Sequence, residues 1–288
     1  TTELIGHLAR MTPASEAVVY AWPSFVWYRM SAAAAGRRCV PVPLRADFAY
    51  DVDALVAAMR DDARAGTLFV SATNNPTGTA LGVDALARLL REVPAEALVV
   101  VDDAYAEYRV DGESVTRLCG AERPRRTVVL RTFSKAFGLA ALRIGYAIGD
   151  VDVVRAVRGR LDPFNVNAAA QIAARAALDD EEHVRAACAD NARERARVRA
   201  ALLARGFVVP PSDGNFVYVA CAGAAALARA LLLRGVIVRT LEPYGVDALR
   251  ISVGTAREND KLLGAVDDAR NDHTSIVDQP LRPASATG

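Results

Sequence analysis

The sequence predicts an α/β fold: a mainly parallel sheet sandwiched by helices, with a smaller α+β domain after it. Three observations carry this. Between Ala17 and Ile148, short runs rich in Val, Ile and Leu recur with little alternation of polar and apolar residues, the pattern of strands covered on both faces. Helical patterns fall between those runs, and strand alternating with helix argues for parallel βαβ units. After Asp162 the texture changes to a long Ala/Arg segment that leads into short strands.

In order along the chain, "TTELIGHLAR" is helical from the start, so a further N-terminal portion is expected upstream of Thr1. Strands are expected at residues 17–21, 38–42, 67–72, 97–102, 127–131 and 144–148, each an apolar run. Helices are expected between them at residues 24–35, 52–63 and 83–91, the second opened by Asp51 as its cap. A long helix is expected from about Asp180 to Arg205, then strands at 216–220, 236–239 and 248–253 with helices between and after. This gives a large domain at residues 1–178 and a small domain at 179–270. The tail 271–288, "NDHTSIVDQPLRPASATG", is polar, contains proline and has no period, so it is expected to be disordered.

Composition narrows the function classes. With 288 residues and 52% hydrophobic content the chain can bury a sizeable core, and a net charge of +1 leaves no electrostatic footprint for nucleic acid. Arg193, Arg195, Arg197 and Arg199 alternate with Ala, Glu and Val, as on a solvated helix face. The uncharged stretch 216–228 is only 13 residues long, short of the roughly 20 that span a bilayer. Cys39, Cys119, Cys188 and Cys221 are scattered and match no C-x-x-C spacing, so no metal site is expected. They read as reduced, mostly buried thiols of a cytoplasmic protein.

Three strand ends carry chemistry. The chain holds 33 arginines and only two lysines, Lys135 and Lys261. An arginine stays protonated, whereas a lysine amine can lose its proton, attack a carbonyl and hold it covalently. Lys135 lies in "RTFSKAFGLAALRIGY", with Thr132, Ser134 and Arg143 nearby, and hydroxyls grouped with a guanidinium suit a phosphate. The strand before it ends in "VVVDDAYAEY", which places Asp102 and Tyr105 at the carboxyl end of a buried run. A carboxylate there needs a partner. The strand before that runs into "TNNPTGTAL", where Asn75 presents an amide in a tight turn. In parallel sheets ligands bind at such carboxyl ends.

With those motifs in series, the chain resembles the pyridoxal-phosphate-dependent aminotransferases of fold type I (class I/II), and within them most the histidinol-phosphate aminotransferases. The matching stretches are "NNPTG", "DDAY", "RTFSKAFGLAALRIGY", "PFNVN" and "ALRISVGTAREN", and the likeness spans residues 2–270. The resemblance implies that Lys135 carries pyridoxal 5′-phosphate covalently, that Asp102 pairs with the ring nitrogen, and that Asn75 and Tyr105 hydrogen-bond the ring's phenolic oxygen. It implies that Thr132, Ser134 and Arg143 hold the cofactor phosphate, with Thr1 and Thr2 adding backbone donors at a helix N-terminus. Phe25, in "WPSFVWY", falls where an aromatic ring stacks on the cofactor, and Arg250 matches the arginine that binds the substrate carboxylate. Arg239 falls where the histidinol-phosphate enzymes carry an arginine that meets the substrate's anionic group.

The implied reaction moves an amino group from an amino acid, or from an amino-alcohol phosphate such as histidinol phosphate, to a 2-oxo acid such as 2-oxoglutarate. Asp102 keeps the ring nitrogen protonated so that the ring acts as an electron sink, and Lys135 moves the α-proton. The two substrates would act in turn, by a ping-pong mechanism, in a cytoplasmic homodimer of histidine biosynthesis. The chain departs from the family pattern at Phe25 (usually Tyr), Asp103 (Glu), Thr73 (Pro) and Ala141 (Gly). Aromatic amino-acid aminotransferases, amino acid phosphate decarboxylases of the same fold, and the aminotransferase-like domain of a transcription regulator share much of the pattern.

Overall fold

The computed structural model of the chain describes residues 1–62, 64–109, 115–116 and 126–272. Packing divides it into two units: Thr1–Asn75 with Thr79–Cys188, and Pro76–Gly78 with the chain from Ala189 onward. This division falls between Cys188 and Ala189, inside one continuous helix, ten residues beyond the boundary expected from sequence at 178/179. Most of the expected tail, and Cys119, lie outside the described residues.

The first unit contains α1 (Thr2–Met11), β1 (Ala17–Trp22), α2 (Trp27–Ala34), β2 (Arg38–Pro43), α3 (Val52–Asp61), β3 (Ala65–Ser71), α4 (Val83–Glu92), β4 (Leu98–Asp102), β5 (Thr127–Thr132), β6 (Gly145–Gly149), α5 (Val151–Arg158) and α6 (Ala168–Asp179). Helix α7 (Glu181–Ala204) follows and crosses the division. The sheet runs in the order β2-β1-β3-β4-β5-β6, parallel except for the antiparallel β5–β6 pair. Asp51 caps α3 as expected, its carboxylate accepting from Ala54 N–H at 2.9 Å; such a cap contributes about 1 kcal/mol.

Strand side chains alternate between faces, and each face has its own core. Val99 and Val101 cluster with Leu68, Val70 and Val129 against Leu55, Met59, Leu86 and Leu89 of α3 and α4. Leu98 and Val100 cluster with Phe69, Val128 and Leu130 against Ile5, Leu8, Tyr28, Val153 and Val157 of α1, α2 and α5. Fully burying one such aliphatic side chain is worth about 2 kcal/mol, so the period-two pattern fixes the register of every central strand.

The second unit has a three-stranded antiparallel sheet of β7 (Phe216–Ala220), β8 (Arg239–Thr240) and β9 (Ala248–Ser252) in the order β7-β9-β8, with α8 (Ala224–Leu233) and α9 (Ala256–Asp272). Its core includes Val198, Leu202, Val217, Leu231, Leu249 and Val266. The strand expected at 236–239 begins only at Arg239. Val236 N–H instead bonds back to Leu231 O at 2.9 Å, and Gly235 N–H to Leu232 O at 2.9 Å. With Gly235 at φ +70° this is a Schellman closure of α8. Val236 therefore belongs to the helix end, and Ile237 stands 86% exposed. No described helix is long and apolar enough to cross a membrane.

Candidate active site

The adjacent strands β3, β4 and β5 deliver the chemistry from their carboxyl ends. Neighbouring strands lie about 4.8 Å apart, which brings three strand ends within about 10 Å. They open on a cavity of about 580 Å³ within the first unit. Thr1, Thr2, Phe25, Asn75, Asp102, Tyr105, Thr132, Ser134, Lys135 and Arg143 all line it. The structure thus brings together every residue expected at the cofactor.

Local geometry explains how each is held. Thr132 ends β5; its hydroxyl accepts from Ser134 N–H at 3.1 Å and donates to Ile144 O at 3.5 Å, tightening the loop that presents Lys135. Gly138 N–H closes onto Lys135 O at 2.9 Å, with Gly138 at φ +70°, a conformation glycine adopts without strain. Lys135 Nζ lies 5.3 Å from the centroid of the buried Tyr105 ring. Arg143 sits in the left-handed region at φ +56°, ψ +42°, with one guanidinium N–H donating to Ala140 O at 2.7 Å. Gly145 lets β6 approach β5: a Cβ there would stand 2.6 Å from Arg131 O and 3.2 Å from the Thr1 nitrogen. Asn75 is buried in the turn after β3.

Asp102 is the electrostatic centre. It is 7% exposed and accepts from the Tyr28 hydroxyl at 2.8 Å and from Ala104 N–H at 3.2 Å. Burial pushes its carboxyl above the ordinary range, while the Tyr28 hydrogen bond and the charge of Lys135 pull it down. The ionised form is the one a cation in the cavity would favour.

Arg239 and Arg250 belong to the second unit. The β8–β9 register sets Arg239 directly opposite Arg250, so the two side chains share one face of that sheet. Arg250 is half-buried with its guanidinium 5.3 Å from the Phe216 ring centroid, and Arg239 is exposed. Three cavity neighbours were not anticipated from sequence. Asn165 of "PFNVN" and Ser71 line the cavity, and Tyr28 meets Asp102 from α2. Asn165 had a signal in its motif; Tyr28 and Ser71 had none beyond their position on a core face.

The donor set fits pyridoxal 5′-phosphate. A titratable amine stands near a buried carboxylate, and hydroxyls and a guanidinium share the same cavity, which lies within the roughly 300–1,000 Å³ usual for small-ligand sites. Among the described residues no three His, Cys, Asp or Glu side chains are placed to share a metal ion.

Comparison with known proteins agrees with the geometry. The family model "Aminotransferase class I and II" matches residues 1–266. An aromatic amino acid aminotransferase of Nocardia farcinica is 45% identical over 254 residues, covering 85% of this chain and 68% of that protein. The enzyme of the same name from Rhodococcus jostii is 46% identical over 248 residues, covering 85% and 67%. Among solved structures, the histidinol-phosphate aminotransferase of Sinorhizobium meliloti in complex with pyridoxal-5′-phosphate superposes with a TM-score of 0.84 at 27% identity, covering 93% of this chain and 74% of that one. The fold, the cavity and these matches converge, and the chain belongs to the pyridoxal-phosphate-dependent class I and II aminotransferases.

Proposed function

We propose that the protein transfers the amino group of an aromatic amino acid to a 2-oxo acid such as 2-oxoglutarate, as a cytoplasmic homodimer, a state that light scattering of the full-length protein checks. The observation that carries the donor class is the 45% identity to a relative named aromatic amino acid aminotransferase. When bound, pyridoxal 5′-phosphate supplies an electron sink for the pair left as the donor's Cα–H bond breaks. Lys135 Nζ would hold the cofactor covalently and, once the donor's amine has displaced it and freed its lone pair, would take the α-proton from Cα and return it. Asp102 holds a proton on the ring nitrogen, and Asn75 and Tyr105 hold the phenolic oxygen. Thr132, Ser134 and Arg143, with the start of α1 at Thr1 and Thr2, hold the phosphate, and Phe25 covers the ring. Arg250 offers a planar fork that matches a carboxylate in two bonds.

A second donor, histidinol phosphate, is favoured by one observation, the pairing of Arg239 with Arg250 across β8 and β9. A donor with a phosphate and no carboxylate would engage both. The experiment is product analysis by mass spectrometry with 2-oxoglutarate and each donor, on the parent protein and on Arg239→Ala and Arg250→Ala. For an aromatic donor, Arg250→Ala raises KM at least about tenfold, about 1.4 kcal/mol, and Arg239→Ala changes it little. Turnover of histidinol phosphate with an equal loss in Arg239→Ala gives the second reading. Carbon dioxide release in place of a keto product removes both.

A further inference from the structure

Behind Asp102 stands a clamped hydroxyl pair. Ser71 ends β3 and is the register partner of Asp102 at the end of β4, so both side chains share the cavity face of the sheet. Tyr28 reaches them from α2. Its ring stacks on Phe69, which precedes Ser71 by two residues on that face, with centroids 5.1 Å apart and planes 12° from parallel. Phe25 meets the same ring edge-on at 5.7 Å. Held on two sides, the ring leaves its hydroxyl little choice of position. The hydroxyl donates to Asp102 Oδ2 at 2.8 Å and lies 2.7 Å from Ser71 Oγ. A phenol has one proton to give, so with that proton on Asp102 the Ser71 hydroxyl is the donor of the second bond. Tyr28 is 1% exposed, Ser71 3% and Asp102 7%, so the pair is largely shielded from solvent. Tyr50 anchors the rest, accepting from Ser71 N–H at 3.2 Å and donating to Asn74 Oδ1 at 3.3 Å.

We propose that Tyr28 is a positioning residue for Asp102: backed by Ser71, it keeps the carboxylate ionised and aimed at the cofactor's ring nitrogen. The inference rests on the role given to Asp102 above and extends it to Tyr28 and Ser71, which support that carboxylate. Asp102 lies in a desolvated pocket, where an unsupported carboxylate takes up a proton or turns away. Ala104 N–H serves one oxygen and Tyr28 the other. Of the remaining charged or titratable groups, Lys135 and Tyr50 act on Asp102 from the loop after β5 and from the segment before α3, and Asp103 follows it in the chain. Lys135 is the one that the cofactor engages; Tyr28 is the support that stays.

The test compares two ligands on protein stripped of cofactor: pyridoxal 5′-phosphate and its analogue with carbon in place of the ring nitrogen. The analogue presents no N–H to Asp102. Tyr28→Phe is expected to weaken the natural cofactor about tenfold, the worth of one hydrogen bond to a charged group, and to leave the analogue within about twofold. Equal weakening of both ligands means lost packing and overturns the inference. The half-reaction with an aromatic donor adds a cycle: Tyr28→Phe slows it about tenfold in the parent protein and less than about twofold in the Asp102→Asn background. A full tenfold loss in that background overturns the action through Asp102 alone. If Asp102→Asn by itself keeps the parent half-reaction rate, the role of Asp102 falls, and this inference with it.

Discussion

Asp102 and Asp103 leave β4 on opposite faces of one sheet, and each is surrounded in a different way. Asp102 continues the face of Leu98 and Val100 and receives hydrogen bonds at both oxygens, from Tyr28 and Ala104. Asp103 continues the face of Val101 and Val129 and is 1% exposed, yet neither of its oxygens has a hydrogen-bond partner among the described residues. Its company is charge: Arg131 Nη1 lies 3.7 Å from Oδ2, and Arg131 also makes a close pair with Glu107. Burial pushes the Asp103 carboxyl up to about 7; Arg131 and Arg109 pull it down, and Glu107 and Asp102 push it up. One carboxylate has geometry and awaits a cation from outside; the other has resident cations and lacks the geometry. The first arrangement suits a ligand that comes and goes, and the second is structural.

Substitutions on each face can break this contrast. The largest effect belongs to Lys135→Ala, which should slow transamination by about 10⁴-fold or more while leaving thermal stability near the parent's. Borohydride reduction and peptide mapping of the parent should place the cofactor on the peptide that holds Lys135, and label on Lys261 would refute the assignment. Next comes Asp102→Asn, which keeps shape and loses charge: the first half-reaction should slow about 10³-fold, about 4 kcal/mol of barrier, with cofactor still bound. Near-parent rates in stopped flow would move the electron-sink role elsewhere, with Asp103 the first suspect.

Asp103→Asn should do the reverse, sparing the rate and changing stability. Between its ordinary value of 3.8 and about 7, the folded chain holds a proton at Asp103 that the unfolded chain has released. Folding then takes up a proton, so stability falls as pH rises through that window and the whole cost is present above it. Asparagine removes the cost. Asp103→Asn should stay close to the parent near pH 4 and gain on the order of 4 kcal/mol by pH 8, about 10 °C in Tm. A variant less stable than the parent at pH 8 would show that the pairing with Arg131 outweighs burial.

Much of this was legible in the sequence because the informative contacts are local or strictly periodic. The apolar runs ending at Asp102 and Arg131 announced β4 and β5, and strand ends in a parallel sheet announced the site. The helix expected from Ser24 begins only at Trp27, and Phe25 before it lines the cavity. The strand expected at 236–239 starts only at Arg239: Val236-Ile237-Val238 has strand composition, but Gly235 at positive φ commits the backbone to closing a helix. The roles of Tyr28 and Ser71 are hidden from the sequence for a different reason. Their bond joins residues 43 apart and the bond to Asp102 joins residues 74 apart, and no local pattern encodes which helix face lands on which strand end.

The backbone of Arg143 bears on engineering this protein. Left-handed conformation costs an L-residue about 1 kcal/mol that glycine does not lose, and placing glycine at positive φ is a standard route to heat stability. Applied here at φ +56°, that rule would recommend Arg143→Gly and delete a guanidinium from the cavity wall. A thermostability screen with no catalytic counter-selection would be drawn to this residue for the same reason, and its most robust survivors would be poor catalysts.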